Sequence, residues 1–163
     1  MASDRIEKKI LLRTPLERVW RAIASYRQFG SWFGVALDGP FVEGARLAGT
    51  IVPTTADEEV ARLQKPYEGM ALKLFIERVE PMQRLSFRWH PFAVDPGADY
   101  SDEPMTLVAF ELQEVPGGTL LTISESGFDR IPEERRAAAY AANEGGWAMQ
   151  VLLIEKYLAE HVG

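Results

Sequence analysis

This chain predicts an α+β fold in which a curved antiparallel sheet of six to seven strands wraps around a long C-terminal helix, with two short helices after the first strand. Three observations predict it. A proline-led helix start stands near the beginning at Thr14-Pro15-Leu16-Glu17, strand-like runs fill the middle from Ala45 to Phe128, and an Ala-rich helical stretch carrying Trp147 runs from Pro132 to about His161. Such an order leaves room for an apolar interior between sheet and helix, and so points to binding a small apolar molecule more readily than to chemistry.

The elements follow in order. Arg5 to Arg13 mixes charge with Ile6, Ile10, Leu11 and Leu12 and reads as a first strand. Thr14 is placed to cap the next helix, Pro15 takes the first helical position, where a missing N–H is harmless, and Glu17 completes a capping box. Leu16, Val19, Trp20 and Ile23 then share a stripe, with Trp20 read as core, and the stretch ending Trp32-Phe33-Gly34 reads as a second short helix or turn. Ala45 to Pro53 is a strand, followed by a polar loop from Thr54 to Pro66 that contains Asp57, Glu58 and Glu59.

Met70, Leu72, Leu74 and Ile76 alternate with Ala71, Lys73, Phe75 and Glu77 as a strand does. From Arg84 to Phe92, Leu85, Phe87 and Trp89 take one face and Ser86, Arg88 and His90 the other. A loop from Asp95 to Pro104 precedes a strand at Thr106 to Val115, and Pro116-Gly117-Gly118 turns the chain into another at Thr119 to Phe128. In the last helix Glu133 and Glu134 suit the first turn, and about 30 residues would span roughly 45 Å. Trp147, Val151, Ile154 and Leu158 form its sheet-facing stripe. Gly145 and Gly146 inside that helix each cost about 1 kcal/mol relative to alanine, so close approach to a strand or a kink is expected there.

Composition narrows the function classes. With 163 residues and 47% hydrophobic content, the chain suits a single domain over residues 1–163 with a sizeable core. A net charge of −6 without a basic stripe disfavours nucleic acid, and no run is long enough for membrane insertion. The absence of cysteine removes disulfides, thiolate metal sites and a thiol nucleophile. The charged MASDRIEKK start lacks a secretory pattern, so a cytoplasmic protein is expected. His90 and His161 read as surface histidines without metal spacing; no metal and no cofactor are expected.

Thr14-Pro15 with Val19-Trp20, Trp32-Phe33-Gly34, Glu43-Gly44, Leu85 to Trp89, Thr119-Leu120-Leu121-Thr122 leading into Glu125-Ser126-Gly127-Phe128, and Gly146-Trp147 together resemble the START-like, helix-grip SRPBCC superfamily. The closest branch resembles the C-terminal domain of the activator of the heat-shock-protein-90 ATPase. The resemblance spans nearly the whole chain and implies a cavity for an apolar or aromatic molecule, as in lipid-transfer domains, pollen-allergen-like carriers and polyketide cyclases. It departs at Asp57 to Glu59, at Asp95 to Glu103 and at Asn143-Glu144-Gly145.

The expected ligand-binding set is Trp32, Phe33, Leu72, Leu74, Phe87, Trp89, Phe110, Leu121, Ile123, Glu125, Trp147 and Val151. The aromatic members could line a pocket or fill the interior; strand parity places Phe75 opposite Leu72 and Leu74, and Phe110 opposite Ala109 and Glu111, and a bulge would reassign either one. Glu125 ends the apolar face of Thr119, Leu121 and Ile123, so it is the one acid or base on offer, or else a carboxylate that pairs with a donor such as a Trp indole or an arginine or that reaches solvent at the rim. Non-catalytic binding of a small hydrophobic molecule is the leading reading. The alternatives are a cyclase or dehydratase using Glu125 and a chaperone-associated stress protein; a chaperone or a second copy of the chain is the partner to consider.

Overall fold

The computed structural model describes residues 4–93 and 98–160, so His161 and part of the expected Asp95–Pro104 loop lie outside the described residues. The elements are β1 (Arg5–Leu12), α1 (Leu16–Ala24), α2 (Tyr26–Phe33), β2 (Val35–Leu37), β3 (Arg46–Ile51), α3 (Glu58–Gln64), β4 (Ala71–Glu80), β5 (Arg84–Trp89), β6 (Thr106–Val115), β7 (Gly118–Ser126) and α4 (Glu133–Glu160). The seven strands form one sheet in the order β1-β7-β6-β5-β4-β3-β2, antiparallel at every pairing. This is the α+β helix-grip arrangement, with two short helices after the first strand and a long helix last. Among the described residues no helix is long and apolar enough to cross a membrane.

Alternation along the strands decides what is inside. Leu85 and Phe87 of β5, Val108 and Phe110 of β6, and Leu121 and Ile123 of β7 are all fully buried. Phe110 sits between its cross-strand partners Leu85 and Ile123, so parity puts it in the core without a bulge. Phe75 lies outside that core, its ring under the Arg46 guanidinium at 4.4 Å. Val19 and Ile23 of α1, Phe29 and Trp32 of α2, and Ile154 and Leu158 of α4 close the same interior. Each such side chain contributes about 1.5–3 kcal/mol on burial.

Two local expectations are corrected. The capping box at Thr14 does not form, because Pro15 occupies the N-cap position and makes no side-chain cap; its carbonyl receives the amides of Arg18 and Val19 at 3.0 and 3.1 Å. Thr14 instead offers its carbonyl to the Thr119 hydroxyl at 2.8 Å, which ties the helix entry to β7. The stretch read as a polar loop from Thr54 to Pro66 contains α3. Asp57 caps it, accepting from the amides of Glu59 and Val60 at 2.8 and 3.0 Å, and Glu58 and Glu59 fill the first turn where the helix dipole favours anions. Its acidic residues are a helix start signal. The three-residue β2, too short to show a period, was not anticipated.

Candidate functional site

A cavity of about 910 Å³ opens between β4, the end of β5 and the middle of α4, with α3 over it. Its size is that of a site for a drug-sized molecule. The sheet side carries Ile51, Leu72 and Trp89; α2 ends on it with Phe33 and Gly34; α3 and the turn after it supply Val60, Leu63 and Tyr67. The helix side is Ala142, Asn143, Gly145, Gly146, Met149 and Gln150.

The glycine pair of α4 does not mark a close approach to a strand. A Cβ placed on Gly145 or Gly146 would meet nothing within 4 Å, and both residues line the cavity. The helix therefore carries two poor helix formers where side chains would project into or beside open space, so of the close approach and the kink expected there, the close approach is replaced by room.

No residue of α3 is fully buried; Val60 packs against the core, and polar bonds add to its hold. The Gln64 side chain accepts from the Thr54 amide at 2.7 Å and donates to the Phe33 carbonyl at 3.1 Å. Gln150 of α4 donates to that same carbonyl at 3.0 Å, and Lys156 of α4 donates to Asp57 at 3.0 Å. Gly34, at φ 99°, permits this docking: a Cβ there would lie 2.6 Å from the Gln64 amide. At the other rim, Arg135 of α4 donates to Glu103 at 2.9 Å and to the Pro91 and Phe92 carbonyls at 2.9 and 3.2 Å, tying the chain after β5 to the helix.

Glu125 lies beside this cavity and is sealed from it. The residue is fully buried, and four side chains donate to its carboxylate: Trp89 at 2.8 Å, Thr106 at 2.6 Å, Trp147 at 2.7 Å, and Asn143 at 2.9 and 3.1 Å to the two oxygens. Sheet register explains the first two. Glu125 pairs with Val108, Thr106 lies two residues along the same face, and Trp89 pairs with Thr106. Asn143 and Trp147 stand four apart on one face of α4. A buried carboxylate without such donors would be strongly unfavourable, and charge-assisted bonds are the ones able to offset its desolvation.

Of the expected binding set, Phe33, Leu72 and Trp89 line the cavity. Trp32, Leu74, Phe87, Phe110, Leu121, Ile123, Glu125 and Trp147 are buried within the packed interior, and Val151 packs against it. The reason is that the aromatic rings fill one another's space: Phe110 stands 5.8 Å from both Phe29 and Trp147, and 6.3 Å from Phe87. Glu125, for which the sequence left open an acid or base role or pairing with a donor, has both oxygens occupied by neighbours, two of them indoles. His90 was read as outward-facing on a strand, but β5 ends at Trp89, so His90 escapes the alternation and lines the cavity. Burial holds its imidazole below the ordinary 6.5, with smaller opposing effects from Glu103 and Asp99 and reinforcing ones from Arg135 and Lys73. Sequence reasoning missed Asn143 and Gln150, although Asn143 stands at helical spacing from Trp147.

Comparison with known proteins agrees with this architecture. Among solved structures, MLL2253 from Mesorhizobium loti is 26% identical, with a TM-score of 0.69 over 96% of this chain and 97% of that one. The Aha1 dimer from Colwellia psychrerythraea is 15% identical with a TM-score of 0.68, over the whole of both chains. DynU16, described as a putative protein in the dynemicin biosynthetic locus, is 23% identical with a TM-score of 0.68 over 97% of this chain; this chain spans about half its length, 48%. No curated protein matches the chain. The family model described as Activator of Hsp90 ATPase homolog 1-like protein matches residues 13–159, and with nearly the whole chain covered, the protein belongs to that family.

Proposed function

We propose that this chain is a single START-like ligand-binding domain that holds a small hydrophobic or aromatic molecule between β4–β5 and α4 without transforming it. The observation that carries the reading is the 910 Å³ cavity beside two helix glycines whose missing side chains meet open space. Helix propensity favours alanine at both positions by about 1 kcal/mol each, so glycine there is better understood as preserving volume than as stabilising the helix. The enclosed Glu125 counts against the cyclase alternative in the form that uses it as acid or base, since its oxygens are already engaged. Chaperone activation rests on family membership alone, and its test is stimulation of a heat-shock-protein-90 ATPase.

The carrier reading is tested with N-phenyl-1-naphthylamine, an apolar fluorescent probe, and with native mass spectrometry of protein purified from its own host. Saturable one-to-one binding, abolished by Gly146→Leu in a variant that still melts cooperatively, is the expected result. A folded Gly146→Leu protein with unchanged probe affinity would refute the assignment of the cavity.

A further inference from the structure

We propose that residues 57–68, α3 together with the turn Lys65–Tyr67 behind it, form a lid that opens to admit the ligand and that the ligand then holds shut. The proposal rests on the ligand-binding reading and adds how access to that same site is controlled. α3 is seven residues long, and a helix so short is held by tertiary packing rather than by its own propensity. Its apolar face, Val60, Leu63 and Tyr67 at i, i+3 and i+7, lies toward the cavity, which all three residues line. Of the three, Val60 packs against the core, whereas Leu63 is 61% exposed and Tyr67 42%. An apolar ligand in the cavity would cover the part of this face that protein does not, and the gain from that burial would hold the helix down.

Both ends of the segment are anchored to the frame, and what lies between is held more lightly. Before it, the Thr54 hydroxyl donates to the Trp32 carbonyl at 2.8 Å, the Thr55 amide donates to the Ser31 carbonyl at 3.0 Å, and Ala56 is buried in the core. After it, the Gly69 amide donates to the Ile51 carbonyl at 2.8 Å. Gly69 has a φ of 86°, and a Cβ there would meet nothing within 4 Å, so the chain has a pivot with room to turn. Between these points the Gln64 bonds to the Thr54 amide and Phe33 carbonyl, the Lys156–Asp57 ion pair and the Val60 contact keep the lid down. The other walls are seated differently: β4 and β5 are paired along both edges, and α4 is fixed by the buried Trp147, Leu153 and Ile154. Segments with few buried contacts are the ones that open locally, and a ligand that binds the closed form better draws the equilibrium toward it.

The test is hydrogen exchange of the full chain at neutral pH, with and without N-phenyl-1-naphthylamine at about 100 times its Kd, the fluorescence of the probe reporting occupancy in the same samples. Without probe, the amides of residues 57–68 should exchange at least about tenfold faster than those of β6 and β7. The probe should slow them at least about tenfold, within the roughly 100-fold that linkage allows at that concentration. A second measurement follows probe binding and release by stopped-flow fluorescence in Asp57→Ala, which removes the α3 cap and the Lys156 bond at a residue outside the cavity lining. Association and dissociation should both quicken by about threefold or more, the size expected for a lost cap. Where that variant does not melt cooperatively, Lys156→Met, which removes the same ion pair, is read for the same acceleration. Saturable binding with unchanged exchange at residues 57–68 overturns the lid and leaves the carrier standing, as does exchange there as slow as in β6 and β7 before probe is added. Wild-type rates in the folded variant overturn the opening of α3 as the route of entry. Absence of saturable binding overturns the carrier reading beneath it.

Discussion

Trp147 donates its indole N–H to Glu125 at 2.7 Å, and this bond fastens the middle of the last helix to β7. Asn143 and Trp89 bind the same carboxylate and also line the cavity, so Glu125 positions two walls of the site without touching its interior. The one carboxylate on an apolar strand face is a brace between sheet and helix.

Replacing Glu125 by glutamine follows from that geometry. An amide has one oxygen and one NH₂ group, so the substitution sets a donor against the donors that surround the native oxygens. The variant should lose about 1–3 kcal/mol of stability, the usual penalty for a buried polar group left unpaired. Urea denaturation of wild type and Glu125→Gln measures it, and equal midpoints with equal slopes would contradict the brace.

At the glycine pair the expected direction is the opposite. Gly145→Ala and Gly146→Ala should each raise stability by about 1 kcal/mol, because an added methyl meets nothing and helix propensity improves. Probe affinity should fall as the cavity narrows. Thermal melts paired with probe titrations check both halves, and a destabilised Gly145→Ala protein would mean that the room beside the helix is not there.

Asp57 links α3 to α4 and predicts an acid-sensitive roof. The amide of Val60, Lys156 and the amide of Glu59 hold its carboxyl below the ordinary 3.8. The folded chain therefore releases this proton more readily than the unfolded one. The stabilisation is present above pH 3.8 and is lost as pH falls through the folded value. Hydrogen exchange at the α3 amides should accelerate over that window in wild type, and Asp57→Ala should show the fast exchange already at neutral pH.

His90 titrates with the opposite chemistry and the same sign. Its folded value lies below 6.5, so between the folded value and 6.5 the unfolded chain binds the extra proton. Stability from this group is complete above 6.5 and declines as pH falls through the folded value. Glu103, Asp99, Arg135 and Lys73 act on the ring as well, yet burial outweighs them. An imidazole titration by NMR should give a midpoint below 6.5, and His90→Phe should flatten this part of the stability profile.

Local periodicity determined much of this protein. Alternation in Leu85-Ser86-Phe87 and in Thr119 to Glu125 was enough to assign those strands and their inward faces, Thr106 to Val115 was legible as a strand without a settled face for Phe110, and the spacing of Trp147, Val151, Ile154 and Leu158 was enough to lay the last helix on the core. The short signals were harder. Asp57-Glu58-Glu59 reads equally as a polar loop or as a capped helix start, and only its contacts with Glu59, Val60 and Lys156 distinguish them. Tertiary structure alone decided which inward residues meet a cavity and which meet each other. Parity points Trp89 inward, but only the pairing of Phe110 with Leu85 and Ile123 puts Phe110 on the same side, and only packing encloses Phe110 among Phe29, Phe87 and Trp147 while Trp89 reaches open space. The same holds for Glu125, whose four donors come from β5, β6 and two positions on α4. Period along one strand fixes a direction; volume and hydrogen-bond satisfaction depend on side chains from several elements at once, and those meet only in the folded chain.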